Sequence, residues 1–444
     1  MCLQMPPPVG SIAEERWSFW RIHQYVLVFL ACSLSATVIL KIGEVQYLEL
    51  IFALDFLVLM WLFARNNFQI RVLRPIQSIA TSYAIFLAAA LLLGLIALRQ
   101  DFYLVGTTLL KRPLVVTIAR AAELFLDVFY MLYLASLFHE NKNLCAFGAK
   151  VYFWTGISGA IYSIVTFPLN YFLGLQLGTY LDTHRLRGFD NEGGPYGLYL
   201  LSLLILLFAI RQREWLNRRQ LYWGLGLFSV CFIGSQSKAA FFCVAVLGIL
   251  FVLSTLRGWR MLAAIGTLSF GLLVLAAQID IPGQIQIYFQ AIETYQQLSN
   301  MRPTDGNLVK GRIAGTVLAP RMIEAHPLLG IGWGNYALVR DDPQYRRGSA
   351  FSFGSGDSPS LGTIDYIVDL GFPLWIYMVW ISFKPLHLLR QYKADVYVLA
   401  LAAMQPMAIL FGTHLNIMYQ WITLALALGM GFSKRPNQMQ ERAR

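Results

Sequence analysis

Charge is scarce in this sequence. Asp, Glu, Lys and Arg together make up 13% of its 444 residues, whereas a typical soluble domain carries roughly 25%. Hydrophobic residues account for 57%, so the composition excludes a disordered protein, a nucleic-acid-binding domain and an ordinary soluble enzyme. Apolar runs close to the ~20 residues that cross a bilayer recur from one end to the other. The sequence therefore predicts a polytopic membrane protein.

Cysteine is also scarce, and its spacing excludes two further kinds of site. The cysteines are scattered and form neither a CxxC pair nor a Cys/His cluster, so neither a disulfide framework nor a zinc site is predicted. They are Cys2, Cys32, Cys145, Cys231 and Cys243. The N-terminal segment lacks a small-residue cleavage pattern, so we expect no cleaved signal peptide and a first span that directs insertion.

The apolar runs predict an all-α fold with about twelve transmembrane helices. The segments 195–210 and 221–234 are short for a full span, and the break at 235–238 could instead be a re-entrant turn. Residues 1–279 would carry nine spans and a loop near 168–195, residues 280–362 a large loop, and residues 363–444 three spans and a tail. The predicted spans are 25–40, 46–63, 77–97, 113–137, 150–166, 195–210, 221–234, 239–256, 261–279, 364–383, 395–412 and 416–432.

Lysine and arginine predict the orientation of these spans. With a cytoplasmic N-terminus, every short basic loop falls on the cytoplasmic face, as the positive-inside rule requires. An even number of spans then places both termini in the cytoplasm. The basic loops lie near 65–74, 142–150, 211–219, 257–260, 384–393 and 434–444. The two long loops lie on the opposite face, and loops longer than ~15 residues usually carry function or structure of their own.

The larger loop has a distinct internal order. A helix-like stretch over 310–325 is followed by HPLLGIGWGNY. Pro327 is expected to end the helix, and glycines at 330, 332 and 334 permit positive φ or a close backbone approach. Alternating glycine alone fits any tight turn, but the complete phrase is more specific.

Several basic residues are predicted on the outer face. A guanidinium group presents a planar fork of donors that matches phosphate oxygens and stays charged at any working pH. Arginines that converge from separate loops would therefore cradle the diphosphate of a lipid-linked substrate. Solvated loop charges or lipid-headgroup contacts are the alternative for each residue alone. The residues are Arg185, Arg187, Lys238, Arg302, Lys310, Arg312 and Arg321.

These motifs resemble the bacterial O-antigen ligase and O-antigen polymerase superfamily. That family has an Arg-led amphipathic helix ending in His-Pro-Leu-Leu-Gly-x-Gly-x-Gly-Asn-(Phe/Tyr), and this chain reads GRIAGTVLAPRMIEAHPLLGIGWGNY, with Arg312 leading. The family's Arg-x-x-Gly-(Phe) element is similar to RLRGFDNEGGPYG, which contains Arg185 and Arg187. Its Ser-(Arg) element is similar to SQSKAAFF, with Lys238 in place of the arginine. The resemblance covers roughly residues 185–374.

The resemblance implies a GT-C-like glycosyltransferase of the bacterial inner membrane with its active loops in the periplasm. Its donor and acceptor would be glycans on undecaprenyl diphosphate. The diphosphate would be bound by Arg187, Arg312, Lys238, Arg185 and Arg321, of which Arg187 and Arg312 would also be catalytic. No DxD-like or His/Glu cluster occurs in the outer loops, so we expect neither a metal nor another cofactor. A chain-length regulator or a flippase would be the protein partner, and membrane lipid surrounds the chain.

One departure from the family pattern separates polymerase from ligase. Ligases usually place a His-(Asn/Ser/Gln) pair eleven residues before a glycine that opens the next span, but the corresponding pair here is Ser360-Leu361, before Gly371. The missing histidine favours a polymerase over a ligase. Asp357 and His414 are the candidate proton acceptors, although a turn residue and an interfacial residue, respectively, are the simpler interpretations.

Ionisable residues also occur inside the predicted spans. Arg120, Glu123 and Asp127 follow each other at three- and four-residue steps and share a helix face, where an internally neutral Arg120–Glu123 pair is the simpler interpretation. Asp55 and Asp369 look like orphan carboxylates in apolar runs. Such residues suit a polysaccharide or lipid-linked-sugar transporter. The single dominant outer loop and the absence of an internal sequence repeat favour the enzyme.

Overall fold

The structure is a computed structural model of the chain. It describes residues 2–4, 11–35, 37, 41–42, 45–66, 69–71, 74–97, 102, 112–175, 177–180, 185–190, 193–255, 314–346, 363–410, 415 and 417–432. Most of these residues are helical, as an all-α membrane protein requires.

Fourteen helices lie within the described residues. They are α1 (Ser11–Leu34), α2 (Tyr47–Asn66), α3 (Arg74–Ala97), α4 (Pro113–Glu140), α5 (Lys142–Leu173), α6 (Gly193–Gln212), α7 (Arg218–Ser235), α8 (Lys238–Thr255), α9 (Ala314–Ala325), α10 (Tyr336–Val339), α11 (Pro343–Arg346), α12 (Thr363–Gln391), α13 (Val396–Leu410) and α14 (Met418–Phe432).

Short strands form three antiparallel pairs in the described part of the chain. These are β1 (Cys2–Gln4) with β4 (Gln69–Arg71), β2 (Lys41–Ile42) with β3 (Val45–Gln46), and β5 (Thr179–Tyr180) with β6 (Arg185–Leu186).

Helices occupy eleven of the twelve predicted spans, and the segment 261–279 lies outside the described residues. Among the described helices, five are both long and apolar enough to cross a membrane. This finding confirms the class of an all-α membrane protein. The five are Pro75–Ala97, Pro113–Glu140, Lys142–Leu173, Gly193–Gln212 and Thr363–Gln391.

Several predicted boundaries are wrong, among them the end of α12, which lies at Gln391 rather than near residue 383. Helix α1 begins at Ser11 rather than near residue 25, because the helix extends into a polar segment that hydropathy excludes. Helix α5 continues through Pro168 to Leu173, although the first long loop was predicted to start there. It ends at Gly174, which has φ 69° and donates its N–H to the carbonyl of Asn170 at 2.9 Å. Glycine adopts this left-handed conformation readily, and it is the common end of a helix.

The core of the bundle surrounds α14. Every residue of this helix is buried, and α4, α13 and α5 pack against it. A side chain at Gly429 would collide with the ring of Phe138, so the glycine lets α4 and α14 approach closely. A helix that is hydrophobic all round is buried inside a protein or spans a membrane. Helix α14 is buried inside the protein by the helices around it.

Contacts at the two ends of the bundle join different sets of segments. At one end, the guanidinium of Arg213, which follows α6, lies 2.8 Å from the carboxylate of Asp395, which precedes α13. Strands β1 and β4 also pair at this end of the bundle, which we call the basic end. Helices α6 and α7 run between this end and the other, where Arg185 contacts the last residue of α7. We call the second one the loop end.

Candidate functional site

The HPLLGIGWGNY segment forms a compact turn at the loop end, which we call the glycine turn (326–336). Its three glycines have φ angles of 64°, 91° and 80° at positions 330, 332 and 334. Side chains with a Cβ rarely adopt these angles. The predicted need for glycine at these positions is therefore confirmed.

The glycine turn docks against a break in α12. Gly371 has φ 71° and ψ 165° within the helix, which frees backbone groups for pairing. The N–H of Ile331 donates to the carbonyl of Val368 at 3.0 Å, and the N–H of Phe372 donates to the carbonyl of Pro327 at 2.9 Å. A side chain at position 330 or 371 would collide with the backbone opposite it. The two glycines thus permit a backbone-to-backbone contact.

Asp369 fastens this contact. Its Oδ2 accepts a hydrogen bond from the N–H of Gly334 at 2.7 Å, and its Oδ1 accepts one from the N–H of Tyr336 at 2.8 Å. Both oxygens of one buried side chain are thus committed to backbone N–H groups of the glycine turn. The expectation of an orphan carboxylate was wrong, because its partners are backbone groups on a distant part of the chain.

Asp55, the second predicted orphan, also has partners. Its Oδ2 accepts the hydroxyl proton of Tyr130 at 2.8 Å, and its Oδ1 lies 2.7 Å from Nε2 of His23. The two partners lie on α4 and α1. Asp55 therefore joins three helices, and its charge is not isolated.

Helix α4 holds the other side of the glycine turn. The hydroxyl of Thr117 donates to the carbonyl of Trp333 at 3.1 Å and accepts a hydrogen bond from Nδ2 of Asn335 at 3.1 Å. One turn further along α4, the side chain of Arg120 passes over Gly334 and pairs with Glu123 at 2.9 Å. The predicted internal ion pair is confirmed. Sequence reasoning missed Thr117, for which no local signal exists.

His326 and Arg321 brace the start of the glycine turn. Nε2 of His326 lies 2.8 Å from the hydroxyl of Tyr345, and Nη1 of Arg321 donates to the carbonyl of Tyr345 at 2.7 Å. Burial lowers the pKa of His326, and the carboxylate of Asp342 opposes this change. His326 therefore has the structural role that its position at the end of a helix predicted. A role of Arg321 in diphosphate binding stays a prediction.

Arg340 lies just beyond the glycine turn and is a buried cation that sequence reasoning missed. Its side chain is 0% exposed, and its Cζ lies 5.9 Å from the centre of the Tyr336 ring. Two buried carboxylates, Asp341 and Asp342, follow it directly. The run Arg-Asp-Asp has the composition of a solvated loop, so no sequence signal distinguished it.

Arg185 connects the first long loop to the turn between α7 and α8. Its Nε donates to the carbonyl of Ser235 at 3.1 Å, and its Nη2 donates to the carbonyl of Gln236 at 3.4 Å. Lys238 begins α8 two residues later. The structure thus brings two of the predicted diphosphate ligands to the same corner of the loop end.

Arg187 lies on the same hairpin. Its Nε and Nη2 donate to the carbonyl of Leu177 at 3.3 and 3.0 Å. The next residue, Gly188, has φ 58°, and its N–H donates to the hydroxyl of Ser163 at 2.9 Å. Backbone carbonyl groups therefore help to hold both guanidinium groups in place.

The C-terminal helices connect this corner to α12. The hydroxyl of Tyr419 donates to the carbonyl of Pro195 at 3.0 Å. The N–H of Leu415 donates to the hydroxyl of Tyr366, and Nε1 of Trp421 donates to the carbonyl of Leu415 at 2.6 Å. Both long loops therefore attach to one continuous set of contacts at the loop end.

No protein-family model and no curated protein matches this chain. The site is therefore interpreted from its own residues. Within the described ranges, no three His, Cys, Asp or Glu side chains are grouped so that they could hold a metal ion. Several predicted site residues lie outside the described residues, and their roles stay predictions. These are Arg302, Lys310, Arg312, Asp357 and His414.

Proposed function

We propose that this protein is a glycosyltransferase of the bacterial inner membrane that polymerises oligosaccharide units linked to undecaprenyl diphosphate. One observation carries the proposal. Arg185 lies against the turn that begins α8, so that Arg185, Arg187 and Lys238 occupy neighbouring elements at the loop end. Fixed cations from separate segments are what a diphosphate group needs for binding.

The proposed topology has twelve spans, cytoplasmic termini and periplasmic loops. The contact of Arg213 with Asp395 supports it, because both residues belong to loops predicted to be cytoplasmic. The pairing of β1 with β4 also joins two segments predicted to be cytoplasmic. At the loop end, contacts join the predicted periplasmic segments to each other.

In the proposed reaction, the donor lipid lies between spans and Arg187, Arg312 and Lys238 hold its diphosphate. A hydroxyl of the acceptor glycan attacks the anomeric carbon of the donor. The new glycosidic bond forms as the bond between that carbon and the diphosphate oxygen breaks, and undecaprenyl diphosphate leaves. The hydroxyl proton passes to a base, for which Asp357 and His414 are the candidates.

The cations would act mainly on the leaving group. Negative charge grows on the diphosphate oxygen as its bond to carbon breaks. Donors that are already oriented towards this charge stabilise the transition state by several kcal/mol, because they need no reorganisation. The carbonyl partners of Arg185 and Arg187 supply such orientation.

The test is glycan analysis of a deletion strain complemented with wild type, Arg187→Ala, Arg312→Ala or Arg219→Ala. Arg219 is exposed near the start of α7 at the basic end, so its substitution is the matched control. We expect single repeat units to accumulate on the carrier in the first two variants and normal polymer in the control, with all proteins inserted in the membrane.

Other results would favour other functions. Wild-type chain length in Arg187→Ala or Arg312→Ala contradicts the proposal. Long polymer that stays on the carrier in the deletion strain indicates a ligase that moves finished glycan to lipid A core or to a protein. Glycan export that survives these substitutions but fails in Arg120→Ala indicates a transporter.

A further inference from the structure

Asp127 is a buried carboxyl group in the middle of α4. Its side chain is 1% exposed. Neither of its carboxyl oxygens has a hydrogen-bond partner among the residues that the structure describes. Asp55, Glu123 and Asp369, in contrast, interact with Tyr130, Arg120 and the N–H of Gly334, respectively. Asp127 therefore differs from these residues, because it is buried without a hydrogen-bond partner in the described part of the chain.

An ionised carboxylate is costly in such a place. Burial without a counter-charge or donors costs a carboxylate far more than it costs a neutral polar group. Ionisable residues inside a membrane span accordingly face a partner or a functional pathway. A proton on Asp127 removes the charge without requiring any other group.

Among the described residues, the surroundings of Asp127 supply no spare positive charge. On α4 itself, Arg120 is engaged by Glu123 at 2.9 Å. Helix α2 contributes Glu49, which is buried and acts electrostatically on Asp127 together with Glu123. Like charges disfavour a second ionised carboxylate.

The other described elements that pack closely on α4 bring no cation to this level. Helix α14, strand β1 and residues 75–97 of α3 contain no Asp, Glu, His, Lys or Arg, and the lysines of α5 are at positions 142 and 150, near its beginning. A proton is therefore the ligand that the local charges favour.

A line of polar side chains leads away from Asp127 in both directions. Towards the loop end, Glu123 and Arg120 follow on the same face of α4, and Arg120 lies against the glycine turn. Towards the basic end, Tyr130 is one turn away. Positions 120 to 130 cover ~15 Å along a helix, about half the hydrocarbon thickness of a bilayer.

From Tyr130, the line of polar side chains continues onto two other helices. The hydroxyl of Tyr130 donates to Asp55 on α2 at 2.8 Å, and Asp55 lies 2.7 Å from Nε2 of His23 on α1. Hydroxyl, carboxyl and imidazole groups all exchange protons through hydrogen bonds. Each consecutive pair of these groups is in contact or one helical turn apart.

We propose that Asp127 is a proton-binding site, which exchanges its proton through Tyr130, Asp55 and His23. Binding forms one O–H bond on a carboxylate oxygen and consumes one proton, and release reverses it, so no other reactant is needed. This function is separate from glycosyl transfer, and its test does not depend on the proposed reaction.

The test is infrared spectroscopy of the full-length protein in lipid nanodiscs at pH 7. A protonated carboxyl group has a C=O stretch that a carboxylate lacks, and Asp labelled with ¹³C shifts the band if an aspartate carries it. We expect this band in wild type and a weaker band in Asp127→Asn, by the intensity of one carboxyl group. Asp395→Asn is the matched control, because Asp395 is ion-paired with Arg213 at 2.8 Å, and it should keep the band.

A wild-type spectrum without a protonated, ¹³C-sensitive aspartate band overturns the proposal, even if Asp127→Asn fails to fold. A band that is equal in wild type and Asp127→Asn overturns it as well. The route is tested by the rate at which the band shifts after transfer into D₂O. We expect Tyr130→Phe to slow this exchange severalfold and Tyr152→Phe to leave it unchanged, since the Tyr152 hydroxyl contacts Thr423 instead. An unchanged rate in Tyr130→Phe overturns the route.

Discussion

The carboxylate of Asp369 accepts the backbone N–H of Gly334 at 2.7 Å, so helix α12 and the glycine turn are fixed to each other through one side chain. The second oxygen of the same carboxylate accepts the N–H of Tyr336. Because both oxygens are used, the position of the glycine turn depends on this residue remaining a carboxylate.

Asp369→Asn should destabilise the protein. The amide nitrogen cannot accept an N–H, so one buried donor is left without an acceptor, at a cost of roughly 1–3 kcal/mol. Thermal unfolding in detergent, followed by circular dichroism, measures the effect. Glu214→Gln removes a carboxylate from an exposed position and should leave the unfolding temperature unchanged. Equal unfolding temperatures for Asp369→Asn and wild type would show that the two hydrogen bonds do not hold the turn.

Gly330→Ala should destabilise the protein by roughly 1–3 kcal/mol. The new methyl group would meet the carbonyl of Asp369, and the residue has φ 64°. Gly226→Ala is the matched control, because Gly226 lies in α7 with open space around it. Alanine there should be neutral or stabilise the helix by about 0.5–1 kcal/mol. A tolerated alanine at position 330 would contradict the close backbone contact.

The stability of the glycine turn should depend on pH through His326. Burial lowers the pKa of this histidine in the folded state, so the unfolded chain binds more protons between the folded pKa and the ordinary value near 6.5. Stability is therefore complete above pH ~6.5 and declines as the pH falls towards the folded-state pKa. The unfolding temperature of wild type should drop over this range more than that of His326→Gln.

His387→Gln is the control for this measurement, since His387 is an exposed residue of α12. It should keep the pH dependence of wild type. If His326→Gln and wild type follow the same pH profile, the turn is not the element that loses stability.

Lys238→Ala should reduce polymer formation by roughly 10²-fold, the cost of removing one donor from a preorganised anion site. Lys238→Arg should keep most of the activity, because arginine offers the same charge with more donors. Gel analysis of glycan chain length reads out both variants. Lys150→Ala, an exposed lysine near the start of α5, should behave as wild type. Glycan of normal chain length in Lys238→Ala would show that this residue is not part of the proposed diphosphate site.

The sequence predicted helices well where hydrophobicity alone decides their position. Apolar runs located α3, α4 and α6 to within a few residues. The predicted boundaries are wrong at the start of α1 and at the end of α5, because the first helix includes polar residues and the second continues past Pro168. The cap at Gly174 depends on a backbone angle that hydropathy does not report.

The sequence predicted part of the candidate site, but neither Thr117 and Arg340 nor the contacts of the predicted residues. The basic residues and the glycine turn stand out in the sequence because cations and alternating glycines are unusual there. The partner of Arg185 is a pair of backbone carbonyls at positions 235 and 236, and backbone carbonyls are present in every residue. For the same reason, Asp369 looked like an orphan charge although its partners are amide groups of the glycine turn.

The burial of α14 has a consequence for biosynthesis. This helix fills the centre of the bundle, yet the ribosome makes it after all the other described helices. Helices α4, α5 and α13 therefore enter the membrane before the element that they surround exists. Until α14 has been made, the face of α4 around Phe138 lacks its partner Gly429. Assembly of the bundle is consequently completed from the inside, as its last step.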